Sequence, residues 1–247
     1  MSERGNLTIT GHLVEFRQRL IKCLIALAIT TLISLIFARQ IFNVLIYPSE
    51  EINLIYIEMT EMIGTYMRVG LVSGIVLAMP FLIYQLFMFV SPALTTKEKK
   101  TIYLMLPWIM FMFAAGIAFC YFILLPPAIE FLTTFGSEIA EPQIKIGNYI
   151  SIVTGLLLSI GVVFETPVII LFLARLGVVT PRWLSSKRKY AIIIAFILAA
   201  VITPTFDPVN QSLVAAPIII LYEMSIWLSR MAYKKRTEVV PQETAMD

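Results

Sequence analysis

Six stretches of the chain run without a charged side chain for most or all of the thickness of a bilayer. They are Cys23 to Ala38, Val69 to Thr96, Thr101 to Ile129, Ile146 to Phe164, Tyr190 to Phe206 and Pro208 to Tyr222. The fourth continues past a single Glu165 to Ala174, and the sixth past Glu223 to Leu228. A spanning helix needs about 20 mostly apolar residues. These runs are apolar on every face, unlike a surface helix with one apolar stripe. They also lack the alternation of a barrel strand. Lipid offers no partner for backbone polar groups, so a helix is the element that satisfies them. The pattern predicts an all-α integral membrane protein with six transmembrane helices, at about 20–38, 68–90, 102–125, 149–174, 189–203 and 209–228. They form one domain over 1–235, followed by a disordered cytoplasmic tail over 236–247. Spans 5 and 6 are expected to be short. Tyr190 to Thr203 offers about 14 apolar residues, or roughly 21 Å of helix. Span 6 is interrupted by Asn210 and Gln211 at one end and Glu223 at the other.

Composition strengthens this reading. Hydrophobic residues make up 59% and charged residues 14% of the 247, against about 45–50% and about 25% in a soluble domain. The net charge of +3 is too small to argue for nucleic acid. Its distribution is more informative. Of the 19 basic residues, all but Arg39, Arg68 and Lys145 fall before span 1, after spans 2 and 4, or in the tail. The remaining connections hold Glu50, Glu51, Glu58, Glu61, Glu130, Glu138, Glu141 and Asp207. Lys and Arg mark the cytoplasmic side, so both termini are expected there. Pro80, Pro107, Pro167 and Pro217 lie inside four of the spans. Interior prolines remove a hydrogen bond and bend a helix, which predicts a proline-bent bundle with a concave face. Cys23 and Cys120 fall near opposite faces of the bilayer and are expected to stay unbonded.

Polar groups within this apolar frame are the candidates for chemistry. Glu15 and Arg19 are spaced i, i+4 on an amphipathic segment whose Leu13, Phe16 and Leu20 share a face. Glu15 fits either an internal ion pair or an acidic contact for a basic ligand. Glu98 has capping-box spacing from Thr95, and it is also a lone carboxylate among Lys97, Lys99 and Lys100. An arginine ligand could take it in a bidentate pair. Glu165 sits near the middle of span 4, where an ionisable group is either functional or a protonated acid bonded to a neighbouring helix. Glu223, nearer the span's end, is expected to snorkel. Asp207 suits the turn before span 6, and Gln211 could hydrogen-bond between helices. His12 is the only histidine, which excludes a histidine-based metal cluster. No catalytic motif or phosphate loop is present, so neither an enzyme nor a cofactor is expected.

Several of these segments, in order, resemble the twin-arginine translocase subunit family TatC. His12-Leu13-Val14-Glu15-Phe16-Arg17-Gln18-Arg19-Leu20 is similar to that family's H-L-x-E-L-R-x-R-L opening, with Phe16 in place of Leu. Phe89 to Glu98 is similar to its F-x-x-P-A-L loop followed by E-K. Phe164-Glu165-Thr166-Pro167 resembles its F-E-x-P, and Thr203-Pro204, Asp207, Gln211, Pro217 and Leu221-Tyr222-Glu223 also match. Pro48 stands where the family has a proline in its first outer loop. The resemblance implies a receptor that binds the twin-arginine signal peptides of folded precursors. It also implies assembly with single-span TatA and TatB subunits, as an oligomeric complex, for export driven by the proton-motive force. It assigns Glu15 and Glu98 to signal-peptide contacts, with Arg17 and Phe89 nearby. It assigns Glu165 and Gln211 to contacts with the single-span partners, and Pro48 and Asp207 to structural positions. The expected location is the bacterial inner membrane. The alternative reading is a proton-coupled small-solute transporter using Glu165.

Overall fold

The computed structural model describes the backbone of residues 9–49, 53–90, 96–134, 143–203 and 207–243. It describes their side chains apart from those of 9, 10, 12, 49, 90, 96–102 and 232–243. The charge-free runs fold as helices. Helix α1 covers Ile9–Ile36, α3 Glu61–Val90 and α4 Thr96–Phe119. Helix α4 passes through a π-helical turn at Cys120–Leu124 into α5, Leu125–Thr134. Helices α6, Ile146–Phe164, and α7, Thr166–Leu176, form one broken span, and α9 and α10 cover Arg188–Ile202 and Pro208–Glu243. The third span is therefore longer than expected. Its π-helical turn immediately precedes Leu125, Pro126 and Pro127, where two missing N–H groups disturb the regular ladder.

Two short helices were not evident in the charge-free runs. Helix α2, Ala38–Ile46, is amphipathic and buries Ala38, Phe42 and Leu45. Tyr121 and Tyr149 donate their hydroxyls to the carbonyls of Val44 and Leu45 at 2.7 and 3.0 Å, which fixes its carboxyl end. Helix α8, Pro181–Ser186, starts at Thr180, whose side chain accepts from the Trp183 N–H. A two-residue parallel pair, β1 (Leu54–Ile55) with β2 (Ile144–Lys145), joins two connections on the acidic side. Beside it, Glu61 accepts from the backbone N–H groups of Ile57 and Gly147, both at 3.1 Å. Cys23 and Cys120 are both free thiols.

Five segments among the described residues are long and apolar enough to cross a membrane: Leu13–Ile36, Glu61–Phe89, Tyr103–Thr134, Ile146–Leu176 and Pro208–Met231. Helix α9, at 15 residues, is short as expected, and it packs on α10. A six-span bundle is compatible with this arrangement. The expectation of a short sixth span needs correction. Its apolar stretch of 24 residues equals that of the first span. The helix runs on past Glu223, as glutamate's helix propensity allows, and its carboxylate accepts two bonds from Arg188 of α9, from Nε at 2.7 Å and Nη2 at 2.9 Å. The Glu223 side chain is half-exposed, as a snorkelling carboxylate would be, and it is paired across to the neighbouring helix. Helical backbone continues to Glu243.

The main core gathers α6 against α2, the π-helical turn, α5 and α10, with Ile150, Val153, Ile160 and Leu125 fully buried. A second cluster joins Ile83 and Phe87 of α3 with Met105 and Ile109 of α4 and Val168 and Phe172 of α7. Helix α1 stands apart from both clusters. It packs chiefly on α3, and most of its large apolar side chains face outward.

Candidate functional site

The first candidate site lies where the beginning of α1 meets the end of α3. One helical turn separates Glu15 from Arg19, and Glu15 Oε1 accepts from Arg19 Nε at 3.0 Å and Nη2 at 2.5 Å. Arg19 Nη1 donates to Gln85 Oε1 of α3 at 3.1 Å. Gln85 is itself buried. Alongside, the Phe16 ring meets the Phe89 ring edge to face, with centroids 5.7 Å apart. The acid is thus held by a buried amide acting through an arginine, with an aromatic pair bracing the two helices. The Glu15 side chain retains 21% exposure, so the carboxylate is ordered yet reachable. Both Arg19 bonds fall on one oxygen. Oε2 has no protein partner among the described residues.

Arg17 is exposed on the same helix. Glu98 belongs by its backbone to the first turn of α4, and its side chain lies outside the described residues. The structure therefore brings Phe89 against Phe16, the residue that follows Glu15. Gln85 was not singled out from the sequence. The available signal was a lone amide in the apolar run Phe81-Leu82-Ile83-Tyr84-Gln85-Leu86-Phe87.

The second site is Glu165, the residue joining α6 to α7. Pro167 follows at the start of α7, where its missing N–H costs no helical bond. The carbonyl of Glu165 accepts from the N–H groups of Val168 and Ile169, so the chain turns without losing its backbone pairing. The side chain is 1% exposed, and both carboxyl oxygens lack a hydrogen-bond partner. A bonded acid was one of the two readings of the sequence. Among the described residues no neighbouring helix supplies that bond.

The third group lies at the start of α10. Asp207 Oδ1 accepts from the N–H groups of Val209 and Asn210 at 2.9 and 2.8 Å, the geometry of an N-cap. Gln211 Nε2 donates to the carbonyl of Phe196 at 3.0 Å and ties α10 to α9. Pro48 lies in a 3-10 turn, Tyr47–Ser49, directly after α2. Asp207→Ala is expected to cost about 0.5–2 kcal/mol, the usual value of such a cap. The check is the unfolding midpoint of the purified variant, with Asp207→Asn retaining most of the stability.

The described carboxylates are thus an ion-paired Glu15 near the start of α1, a buried Glu165 between α6 and α7, and the capping Asp207 of α10. A family model described as Sec-independent protein translocase protein (TatC) matches residues 11–217. The chain belongs to the TatC family. The TatC of Carboxydothermus hydrogenoformans is 38% identical over 231 residues, which covers 93% of this chain and 95% of that one. The TatC of Aquifex aeolicus is also 38% identical, over 94% of this chain and 98% of its own. A solved structure of the twin arginine translocase receptor TatC superposes with a TM-score of 0.79 at 37% identity, covering 90% of this chain and 99% of that one. A second, of the same receptor in DDM, gives 0.80 at 38% identity over 88% and 99%. The TatC fold is a helical membrane bundle, and the protein is a multi-pass membrane component of a protein translocase. The solute-transporter alternative finds no support in these likenesses.

Proposed function

We propose that this TatC-family chain is the receptor core of a twin-arginine translocase, and that carboxylates at the basic face capture the paired arginines of a signal peptide. The carrying observation is the Glu15 site. Its carboxylate is positioned by Arg19 and Gln85, and one oxygen remains open to a ligand. An arginine fork can bond such a carboxylate through two N–H groups, whereas lysine offers a point charge. Glu98, at the head of α4 where that helix follows α3, supplies a second carboxylate. Arg17 and Phe89 flank the first, and Phe89 fixes Phe16 and so the register of α1 on α3. In this reading the basic face is cytoplasmic, both termini are cytoplasmic, and the membrane is the bacterial inner membrane. Glu165 and Gln211 meet TatA- and TatB-type single-span subunits in an oligomeric assembly, and the chain itself performs no catalysis.

The test is binding of a twin-arginine peptide to the purified protein in nanodiscs. A hydrogen bond to a charged group is worth about 1.5–3 kcal/mol, so Glu98→Ala is expected to weaken binding by about tenfold or more. Glu15→Gln keeps the shape of the site and removes its charge, and it is expected to weaken binding comparably with the unfolding midpoint little changed. Normal binding by both variants would overturn the carboxylate assignment.

A further inference from the structure

An apolar cleft opens between α4, α7 and α10, away from the Glu15 site. Its volume is ≈ 390 Å³, and Leu104, Trp108, Met112, Leu171, Arg175 and Trp227 are among its walls. A cleft of this size falls in the range of small-molecule sites. Its chemistry is uneven. Every wall residue named is apolar or aromatic except Arg175, in the last turn of α7. Arg175 makes no hydrogen bond or ion pair among the described residues. Among the described residues no acid lines the cleft. The nearest acid along α10, Glu223, is already held by Arg188 in two bonds. The cleft is also oriented. From Leu104 to Met112 it follows α4 for about 12 Å at the helical rise, away from the helix end that carries Lys97, Lys99 and Lys100. Trp108 and Trp227 are both 60% exposed, as expected of rings at a membrane interface.

A guanidinium with no partner among the described residues, set in the wall of an apolar slot, suits an occupant with an anionic head and an apolar tail. We infer that this cleft holds a single anionic phospholipid, with one acyl chain along Trp108 and Met112 and the phosphate diester bonded by the Arg175 guanidinium. Arginine matches two phosphate oxygens at once, and basic pockets between spans recur as lipid headgroup sites. With no acid among the described lining residues, the cation of a zwitterionic headgroup gains no ion pair there, and the Arg175 guanidinium favours a net negative headgroup. The assignment does not depend on the receptor reading, since it uses none of those residues.

Native mass spectrometry of the detergent-purified full chain tests it, with phosphatidylglycerol and phosphatidylcholine titrated separately. The expected result is one retained phosphatidylglycerol, with at least a tenfold preference over phosphatidylcholine. Arg175→Gln is expected to abolish that preference, and Leu171→Trp, which fills the slot, to lower retention of both lipids. Equal binding of the two lipids by the natural protein would overturn the inference, as would a preference that survives Arg175→Gln. A photo-crosslinking residue in place of Trp108 provides a check independent of the Arg175 and Leu171 variants. Transfer of the label to lipid supports the inference, and capture of a protein segment instead overturns it.

Discussion

Gly74→Ala is expected to destabilise the protein by about 1–3 kcal/mol or more, although alanine is the better helix former by about 1 kcal/mol. Helix α1 touches the bundle chiefly along α3, and the contact is close because Gly74 has no side chain. A Cβ built there would stand 2.6 Å from Thr31 Cα and 2.8 Å from its nitrogen. Both are backbone atoms of α1, so relief requires α1 itself to move outward. The hydroxyls of Thr31 and Ser34 are buried on this stretch of α1, with no hydrogen-bond partner among the described residues. Gly155→Ala in α6 is the matched control, because nothing lies within 4 Å of a Cβ at that position. The expected result is a lowered unfolding midpoint for the first variant and an unchanged or raised one for the second. Because α1 carries Glu15 and Arg19 while α3 carries Gln85, the first variant should also weaken peptide binding. Equal midpoints for the two variants would show that the α1–α3 contact is looser than the structure has it.

Glu165→Leu is expected to stabilise the isolated protein, by about 1–3 kcal/mol, the usual penalty for a buried polar group without a bond. A carboxyl that is 1% exposed with both oxygens unpartnered adds no bonding to the fold. Replacing an uncompensated buried polar group with an apolar one of similar volume is often neutral or favourable. The same variant is expected to abolish export in a reconstituted system if Glu165 meets a single-span partner. Stability and activity should therefore move in opposite directions. A sharp loss of stability would instead make Glu165 a structural residue whose partner lies outside the described residues.

Helix positions were legible in the sequence because charge is costly at membrane depth, so the intervals between charges mark the spans. Where the reading fell short, the cause was tertiary. The charge of Glu223 suggested an end to span 6, and its neutralising partner Arg188 is on another helix, 35 residues away. Helix α2 was missed because only a buried face of Ala38, Phe42 and Leu45 distinguishes it from a loop. The β1–β2 pair involves two residues from each of two distant connections, too few for any periodic signal. In the candidate site the i, i+4 spacing correctly predicted the Glu15–Arg19 pair, since helical geometry alone determines it. Gln85 lies 66 residues from Arg19, and no local rule joins the two. The Asp207 cap followed from local turn chemistry, and the bond from Gln211 to Phe196 follows the interhelical role expected of an amide there.

In the proposed receptor, glutamate carboxylates read the paired arginines of the peptide. The most direct measurement is a double-mutant cycle in nanodiscs, with natural protein and Glu98→Gln each titrated with twin-arginine and twin-lysine peptides. Residues in one bonded network show coupling of about 0.5–3 kcal/mol. Coupling of at least about 1 kcal/mol is expected, with the arginine preference largely lost in the variant. An undiminished preference for arginine in Glu98→Gln, and likewise in Glu15→Gln, would contradict it.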